Sequence, residues 1–278
     1  MKIITLLENT LELDSSLIAK HGLSLYIEIK DKRLLFDVGP DASFLENAQT
    51  LGIDLSKVDI LVISHAHGDH GGGLEEFLKI NTKAQVYLNT YAQGEYFIQR
   101  EGKELEYIGI NHAVLQTYRE RIHYIKEKTE ISSGITLLRN TEHSTFKPSA
   151  ILLKKEEGIL VEDSYEHEII MVIKEIDVLH VFTGCSHNGI INMVMSVEKE
   201  FPGKKIQSLI GGFHLMNTTT GRMREEEETV KDIARALQKH NIDQIYTGHC
   251  TGTEALGVLQ EVLGKKIDGI WTGKRILL

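Results

Sequence analysis

The distribution of apolar and polar residues predicts strands and helices along the whole chain. Residues 23–29 alternate between apolar and more polar side chains, and residues 33–37 follow after a turn, which predicts a hairpin. Short apolar runs predict further strands at residues 2–8, 58–63, 84–88, 159–161, 168–174, 177–182, 206–210, 242–246 and 267–271. Apolar residues at helical spacing predict helices at residues 43–52, 74–80, 190–200, 225–240 and 253–263. This order indicates an α/β protein with helices outside a sheet.

The loop after the buried strand at residues 58–63 is rich in potential metal ligands. It contains His65, His67, Asp69 and His70, with glycine around them. Imidazole and carboxylate groups suit zinc and iron. Side chains two positions apart in a tight loop can converge, so His65 and His67 can hold one ion, and Asp69 and His70 a second. Two ions about 3.5–4 Å apart can activate a water and hold a substrate oxygen. The loop therefore predicts a binuclear metal site.

Three later strands also end in histidine beside glycine. His187, His214 and His249 each follow a predicted buried strand. The carboxyl ends of parallel strands meet at one edge of an α/β sheet. We therefore expect these histidines to gather at such an edge and to join the same site.

Residues 90–147 have the least regular pattern. Residues 91–105 and 112–121 are predicted to be helical, and residues 122–125 and 135–138 to be strands. The segment is longer than the fold requires, so we predict a lid or small insertion over the active site. Residues 9–22 are predicted to form a loop with a short helical piece, and residues 150–153 a strand. Three histidines in the segment are interpreted as surface or packing residues: His112, His123 and His143.

Composition narrows the class of partner. The chain has 278 residues and a formal net charge of −9. That charge disfavours nonspecific binding to nucleic acid or to an anionic membrane. We expect a small anionic substrate instead, and a homo-oligomer stays open. The two cysteines, Cys185 and Cys250, imply no disulfide framework. No apolar run approaches the ~20 residues that span a bilayer, and no signal region is seen, so we expect a cytoplasmic protein.

The metal loop carries a resemblance to a known family. His65-x-His67-x-Asp69-His70 after an apolar strand resembles the signature of the metallo-β-lactamase-fold superfamily. The resemblance implies an αββα sandwich of two mixed sheets with outer helices. It makes residues 1–278 one domain, with residues 90–147 as an inserted lid or small α+β subdomain.

Further motifs resemble one branch of that superfamily. This branch is the 7,8-dihydropterin-6-methyl-4-(β-D-ribofuranosyl)aminobenzene-5′-phosphate synthase-like group. The motifs occur in the same order over nearly the whole chain, at residues 8–9, 21–24, 64–73, 163–166, 184–190, 211–215 and 247–252. The resemblance does not cover residues 90–147.

The resemblance implies metal-binding roles residue by residue. His65 and His67 match ligands of the first ion, and Asp69, His70 and His249 match ligands of the second. Many members have an aspartate that bridges the two ions, and residues 184–187 correspond to its loop. Either His187 or Cys185 stands there, and we favour His187 because imidazole is the commoner ligand.

Other positions are implied to support the site or the substrate. Asp37 matches an aspartate that supports the metal loop. An earlier superfamily histidine falls near residues 163–167, where this branch has Asp and Glu. His214 is interpreted as a substrate phosphate contact or proton donor, with ligation as an alternative, and with Asp69 it is a candidate catalytic residue. Asn9 and His21 are expected to shape a pterin pocket and bind substrate.

The function predicted is metal-dependent chemistry on a small substrate bearing phosphate or pyrophosphate. The cofactor expected is two divalent ions, with zinc favoured and iron or manganese as alternatives. A synthase-like reaction would join p-aminobenzoyl and ribosyl-phosphate parts to a dihydropterin by displacing pyrophosphate. Two alternatives stay open: a generic hydrolase of phosphodiesters or lactones, and an iron-based redox or sensor protein of the same fold.

Overall fold

The computed structural model describes all 278 residues of the chain. Its strands are β1 (Lys2–Leu7), β2 (Ser24–Ile29), β3 (Lys32–Phe36), β4 (Ile60–Val62), β5 (Gln85–Asn89), β6 (Tyr96–Ile98), β7 (Glu106–Tyr107), β8 (Ile122–Ile125), β9 (Thr129–Ser132), β10 (Ile135–Leu138), β11 (Leu153–Glu156), β12 (Ile159–Glu162), β13 (Ile170–Glu175), β14 (Val178–Phe182), β15 (Lys205–Ile210), β16 (Ile242–Thr247), β17 (Ile267–Gly269) and β18 (Arg275–Leu277).

The α-helices are α1 (Ser43–Thr50), α2 (Gly68–Gly71), α3 (Leu74–Ile80), α4 (His112–Thr117), α5 (Ile190–Glu200), α6 (Glu227–Gln238) and α7 (Thr253–Leu263). Short 3₁₀ turns occupy Leu55–Lys57, Thr90–Gln93, Arg119–Arg121, His249–Thr251 and Gly264–Lys266. None of the helices combines the length and apolar character needed to cross a membrane.

The chain divides into two compact units. Unit 1 comprises Met1–Lys126, Ile151–His167 and Trp271–Leu278, and unit 2 comprises Glu127–Ala150 and Glu168–Ile270. Each unit contains a seven-stranded mixed sheet. The prediction of an α/β protein with two mixed sheets is therefore confirmed.

The large sheet of unit 1 has the order β18-β1-β2-β3-β4-β5-β8. Pairs from β18 to β3 are antiparallel, and pairs from β3 to β8 are parallel. The predicted hairpin is β2–β3, whose turn begins at Lys30 with a positive φ of 51°. Helices α1 and α3 place apolar residues, among them Phe44 and Phe77, in a core with Leu35, Leu61 and Val86.

A smaller antiparallel sheet in unit 1, of order β12-β11-β6-β7, corrects part of the prediction. Residues 91–105 are not a helix, because they form a 3₁₀ turn, strand β6 and a loop. Tyr96, Phe97 and Ile98 favour a strand, and β6 pairs with both β7 and β11. The strand expected at residues 150–153 lies later, at Leu153–Glu156. Residues 9–22 contain no helical piece.

The sheet of unit 2 has the order β17-β16-β15-β14-β13-β10-β9. Its β14 to β17 part is parallel, and its β9 to β14 part is antiparallel. Helices α5, α6 and α7 bury apolar side chains against it, including Val194, Ile233 and Leu259. Loops therefore leave the carboxyl ends of β14, β15 and β16, where the sequence places three of its histidines. The insertion expected at residues 90–147 stays a prediction.

Candidate metal centre

The histidine-rich loop follows β4 and continues into α2. Glycines are required here because backbone packs directly against them. A Cβ on Gly72 would overlap the carbonyl oxygen of Pro40, and one on Gly73 would lie 2.5 Å from that of Val38. Gly68 N–H also donates to Ile108 O at 2.7 Å. The loop is therefore held on two sides.

Asp37 anchors this loop from the end of β3. Its fully buried carboxylate accepts hydrogen bonds from Ser64 N–H, from Ser64 Oγ and from His70 Nδ1, each at 2.7 Å. The β3–β4 pairing is parallel, so Asp37 and Ser64 leave the same sheet edge side by side. Because Nδ1 of His70 is engaged by the carboxylate, its Nε2 is the nitrogen suited to bind metal. The supporting role predicted for Asp37 agrees with these contacts.

The ligands predicted in this loop lie together. The ring of His65 is 4.6 Å from that of His67 and 4.2 Å from that of His70, centroid to centroid. Ligand atoms of His65, His67 and Asp69 all lie within 4.8 Å of one another. Burial lowers the pKa of His65 well below its usual value and that of His67 to about 3, and neighbouring histidines add to both effects. Both rings are therefore neutral, the form that binds metal.

Asn9 and His21 lie beside Asp69 in unit 1. His21 Nε2 is 3.3 Å from Asp69 Oδ2, and Asn9 Nδ2 is 3.3 Å from His21 Nδ1. The side chain of Asp69 is 24% exposed and that of His21 is 43% exposed. The structure thus brings both predicted substrate-binding residues of unit 1 to the metal loop.

His167 is a residue of the cluster that the sequence reasoning missed. Ligand atoms of His67, Asp163 and His167 lie within 4.8 Å of one another, and all three residues are buried. His167 Nδ1 accepts a hydrogen bond from Ala66 N–H at 3.1 Å, and its Nε2 is 2.9 Å from Asp163 Oδ2. Burial alone raises the pKa of Asp163, but bonding to His167 gives a net lowering. The available signal was the spacing of Asp163 and His167.

The side-chain contacts of Glu166 are with Lys154 and Ser164. Its carboxylate lies 3.4 Å from Lys154 Nζ and accepts a hydrogen bond from Ser164 Oγ at 3.0 Å. It forms a surface ion pair, although the sequence left ligation by Glu166 open. The three histidines interpreted as surface or packing residues, at positions 112, 123 and 143, are all exposed.

In unit 2, the loops after β14, β15 and β16 are linked to one another. Gly212 N–H donates to Gly184 O at 2.7 Å, and Phe213 N–H donates to Thr251 Oγ1 at 2.9 Å. The rings of His187 and His214 are 4.1 Å apart, centroid to centroid. His187 and His214, two of the three histidines expected to gather, therefore lie side by side in this unit.

Two cysteines belong to the same group of loops. Ligand atoms of Cys185, His214 and Cys250 lie within 4.8 Å of one another. Cys250 Sγ accepts from His214 N–H at 3.3 Å and donates to Cys185 O at 3.6 Å. His214 and His249 have φ angles of 52° and 51°, a conformation that non-glycine residues adopt uncommonly.

Glu168 fixes the loop that carries His187. This buried carboxylate accepts from His187 N–H at 2.7 Å, from Asn188 N–H at 2.9 Å and from Asn188 Nδ2 at 2.8 Å. Glu168 therefore anchors the loop of His187 by accepting several hydrogen bonds, as Asp37 anchors the metal loop in unit 1. The sequence reasoning did not single it out.

Comparison with known proteins identifies the family. Residues 18–135 match the model of a protein family described as "Metallo-beta-lactamase superfamily". The chain is 31% identical to the 7,8-dihydropterin-6-methyl-4-(beta-D-ribofuranosyl)-aminobenzene-5'-phosphate synthase of Methanocaldococcus jannaschii, over 99% of this chain and 96% of that protein. The chain belongs to the metallo-β-lactamase superfamily. The similarity to a named synthase also makes it an enzyme, and the resemblance found in the motifs is confirmed.

Solved structures of the metallo-β-lactamase superfamily agree with this assignment. Tm1679, described as a metal-dependent hydrolase of the β-lactamase superfamily, has a TM-score of 0.82 and 26% identity, and the match covers 100% of this chain and 99% of that one. Zn²⁺-bound PqqB from Methylobacterium extorquens shares the fold, with a TM-score of 0.62, 12% identity and full coverage of both chains.

The residues of this metallo-β-lactamase-fold chain fit divalent metal ions. The donors are buried imidazoles, carboxylates and two thiols, which are the groups that zinc and neighbouring transition metals bind. A cavity of about 350 Å³ lies elsewhere in unit 1 and is lined by no residue of the metal loop. Four of its charged side chains form two ion pairs, Lys2 with Glu28 and Lys57 with Asp54.

Proposed function

We propose that this enzyme uses a binuclear divalent metal centre on a small anionic substrate that carries phosphate or pyrophosphate. The observation that supports the proposal most directly is the metal loop of unit 1, where His65, His67 and Asp69 present ligand atoms within 4.8 Å of one another. Neutral histidines held in this way would be unfavourable to bury for packing alone, because each buries polar nitrogens.

The proposed ligands follow the motifs and the contacts. His65 and His67 serve the first ion, with Asp163 or His167 as the additional candidate that the structure provides. Asp69 and His70 serve the second ion. His187 and His249 are assigned from their motifs, with Cys185 as the alternative to His187. Zinc is favoured by this donor set, and iron or manganese are the alternatives.

Bound divalent ions would supply Lewis acidity and a water with a pKa lowered to about 7. The chain's own residues hold the donors in place. Asp37 orients His70, and Glu168 orients the loop of His187. His214 is proposed to contact a substrate phosphate or donate a proton, because it is packed beside His187 and is only 7% exposed.

The substrate class proposed comes from the relative. The Methanocaldococcus jannaschii protein is named as a dihydropterin-linked synthase, so we propose transfer to a dihydropterin with displacement of pyrophosphate. The second candidate is hydrolysis of phosphodiesters or lactones, supported by the likeness to Tm1679, a metal-dependent hydrolase. The cytoplasmic location, the absence of nucleic-acid and membrane partners and a homo-oligomer stay predictions from the sequence.

Metal analysis tests the centre. Elemental mass spectrometry should find two ions per chain in the wild type after zinc loading and fewer in His67→Ala. The matched control is His123→Ala, which removes an exposed histidine and should keep both ions. A wild type that stays empty with zinc, iron and manganese would overturn the proposal, and native iron would favour the redox alternative.

Activity assays separate the two reaction classes. The loaded enzyme is given a dihydropterin pyrophosphate ester with a ribosyl-phosphate aminobenzene acceptor, and separately a chromogenic phosphodiester and a lactone. Acceptor-dependent release of pyrophosphate supports transfer. Turnover of the phosphodiester or lactone alone supports hydrolysis and contradicts the synthase assignment.

A further inference from the structure

The amide of Asn9 has a defined orientation. Its Oδ1 accepts a hydrogen bond from Gly22 N–H at 3.2 Å, so its Nδ2 is the group that faces His21. The Nδ2 to His21 Nδ1 distance is 3.3 Å. An amide NH₂ only donates, so Nδ1 of His21 must be the acceptor. In a neutral imidazole the proton is then on Nε2.

The protonated nitrogen of His21 points at Asp69. Nε2 lies 3.3 Å from Asp69 Oδ2, and a carboxylate accepts hydrogen bonds. The Asn9 amide therefore selects the tautomer that lets His21 donate to Asp69. This is the arrangement by which an outer residue fixes a metal-binding side chain.

Backbone contacts hold Asn9, His21 and Asp69 close to one another. Leu23 N–H donates to Asp69 O at 3.3 Å, and a Cβ on Gly22 would lie 2.6 Å from the same oxygen. Only glycine permits this approach, and its φ of 155° also suits glycine. On the other side, buried Glu8 accepts from Thr10 N–H at 2.6 Å and fixes the turn that carries Asn9.

We infer that Asn9 and His21 are positioning residues that orient the Asp69 carboxylate, His21 by donating to Oδ2 and Asn9 by setting the tautomer of His21. This assignment replaces the substrate-binding role expected from the resemblance. It rests on the proposed function, in which Asp69 is a metal ligand.

The test measures zinc affinity by competition with a chromogenic chelator, together with the visible spectrum of the Co²⁺-loaded chain. His21→Ala should lower the affinity for the second ion, the one that Asp69 is proposed to hold, about 10–100-fold. It should also shift the Co²⁺ spectrum. His21→Gln keeps an N–H donor of similar reach and should restore most of the affinity. Asn9→Ala should show a smaller loss of the same kind. His123→Ala is the exposed matched control and should bind as the wild type does.

The outcomes separate this inference from the proposed function. A wild type that binds no metal overturns both. A wild type that binds two ions, with His21→Ala unchanged in zinc affinity and Co²⁺ spectrum, overturns the positioning role alone. An unchanged zinc affinity with a raised KM for a chromogenic phosphodiester assigns His21 to the substrate and also overturns it. Failure of His21→Gln to rescue, in a chain with wild-type thermal stability, contradicts the role of the donated hydrogen bond.

Discussion

Single carboxylates with several hydrogen bonds hold the two loops that carry candidate metal ligands. Asp37 accepts three bonds in unit 1, and Glu168 accepts three in unit 2. Both are almost completely buried. A buried acceptor of this kind is costly to remove, because its donors are left without partners in a region that water does not reach.

Replacement of Asp37 tests this reasoning in unit 1. Asp37→Ala leaves Ser64 N–H, Ser64 Oγ and His70 Nδ1 without their acceptor. We expect the free energy of unfolding of the metal-free chain to fall by at least about 2 kcal/mol. Urea unfolding measures it. Glu104→Ala, at an exposed position, should change the same quantity by no more than about 0.5 kcal/mol. Equal effects of the two substitutions would contradict the anchoring role.

Glu168→Gln is the corresponding test in unit 2. The substitution keeps the size of the side chain but turns one acceptor oxygen into a donor that faces N–H groups. We expect about 1–3 kcal/mol of lost stability from the unmatched donor. Zinc binding should weaken as well, since the loop of His187 is released. Glu166→Gln changes a carboxylate in a surface ion pair and serves as the control. A Glu168→Gln chain with wild-type stability would show that the loop is held by other contacts.

The predicted elements differ in accuracy for physical reasons. Helices α5 and α7 are predicted to the residue, because glycines at positions 189, 252 and 264 mark their ends and apolar spacing marks their buried faces. The predicted position of strand β11 was wrong because its residues are half-buried or exposed and include two lysines. No apolar run therefore marks the strand in the sequence. Strands β6 and β7 have three and two residues, and only pairing across the small sheet defines them.

The residues of the candidate site also divide into those that the sequence can predict and those that it cannot. The proximity of the candidate ligands in the metal loop is predictable because they are close in sequence. His167 is not, because its place beside His67 depends on Ala66 N–H, one hundred and one positions away. The role of Asn9 and His21 could not be found from sequence either, since it depends on which atom of an amide faces which nitrogen.

One element carries a pH-sensitive residue outside the site. His180 in β14 is fully buried, with Nδ1 2.8 Å from Ser208 Oγ and Nε2 3.6 Å from Glu175 Oε2. Burial lowers the pKa of His180, and Glu175 opposes the effect only in part. Below a pH of about 6.5 the unfolded chain binds a proton that the folded chain resists, so stability falls as the pH falls.

Acid unfolding of His180→Asn tests this residue. Asparagine cannot be protonated, and its side chain can still bond to Ser208. The free energy of unfolding of the wild type should drop more steeply between pH 7 and pH 5 than that of the variant, by at most about 1.4 kcal/mol per pH unit. His123→Asn, at an exposed position, should keep the wild-type slope. Parallel curves for the wild type and His180→Asn would contradict the prediction.

At the scale of the whole molecule, metal binding should raise the free energy of unfolding of the chain. A metal ion that binds the folded chain and not the unfolded one adds about 2.7 kcal/mol at a hundred times its dissociation constant. For a chain of this size that is a rise in Tm of roughly 5 °C. The donors come from loops far apart in sequence, so the unfolded chain does not present them together.

Removal of metal by a chelator should therefore lower the Tm of the wild type by that amount, and added zinc should restore it. Differential scanning calorimetry makes the measurement. His67→Ala should respond much less, because a ligand is missing, while His123→Ala should respond as fully as the wild type. A Tm of the wild type that is insensitive to both chelator and zinc would mean that the buried histidines are arranged for packing. In that case the neutral state of His65 and His67 would reflect burial in the core alone.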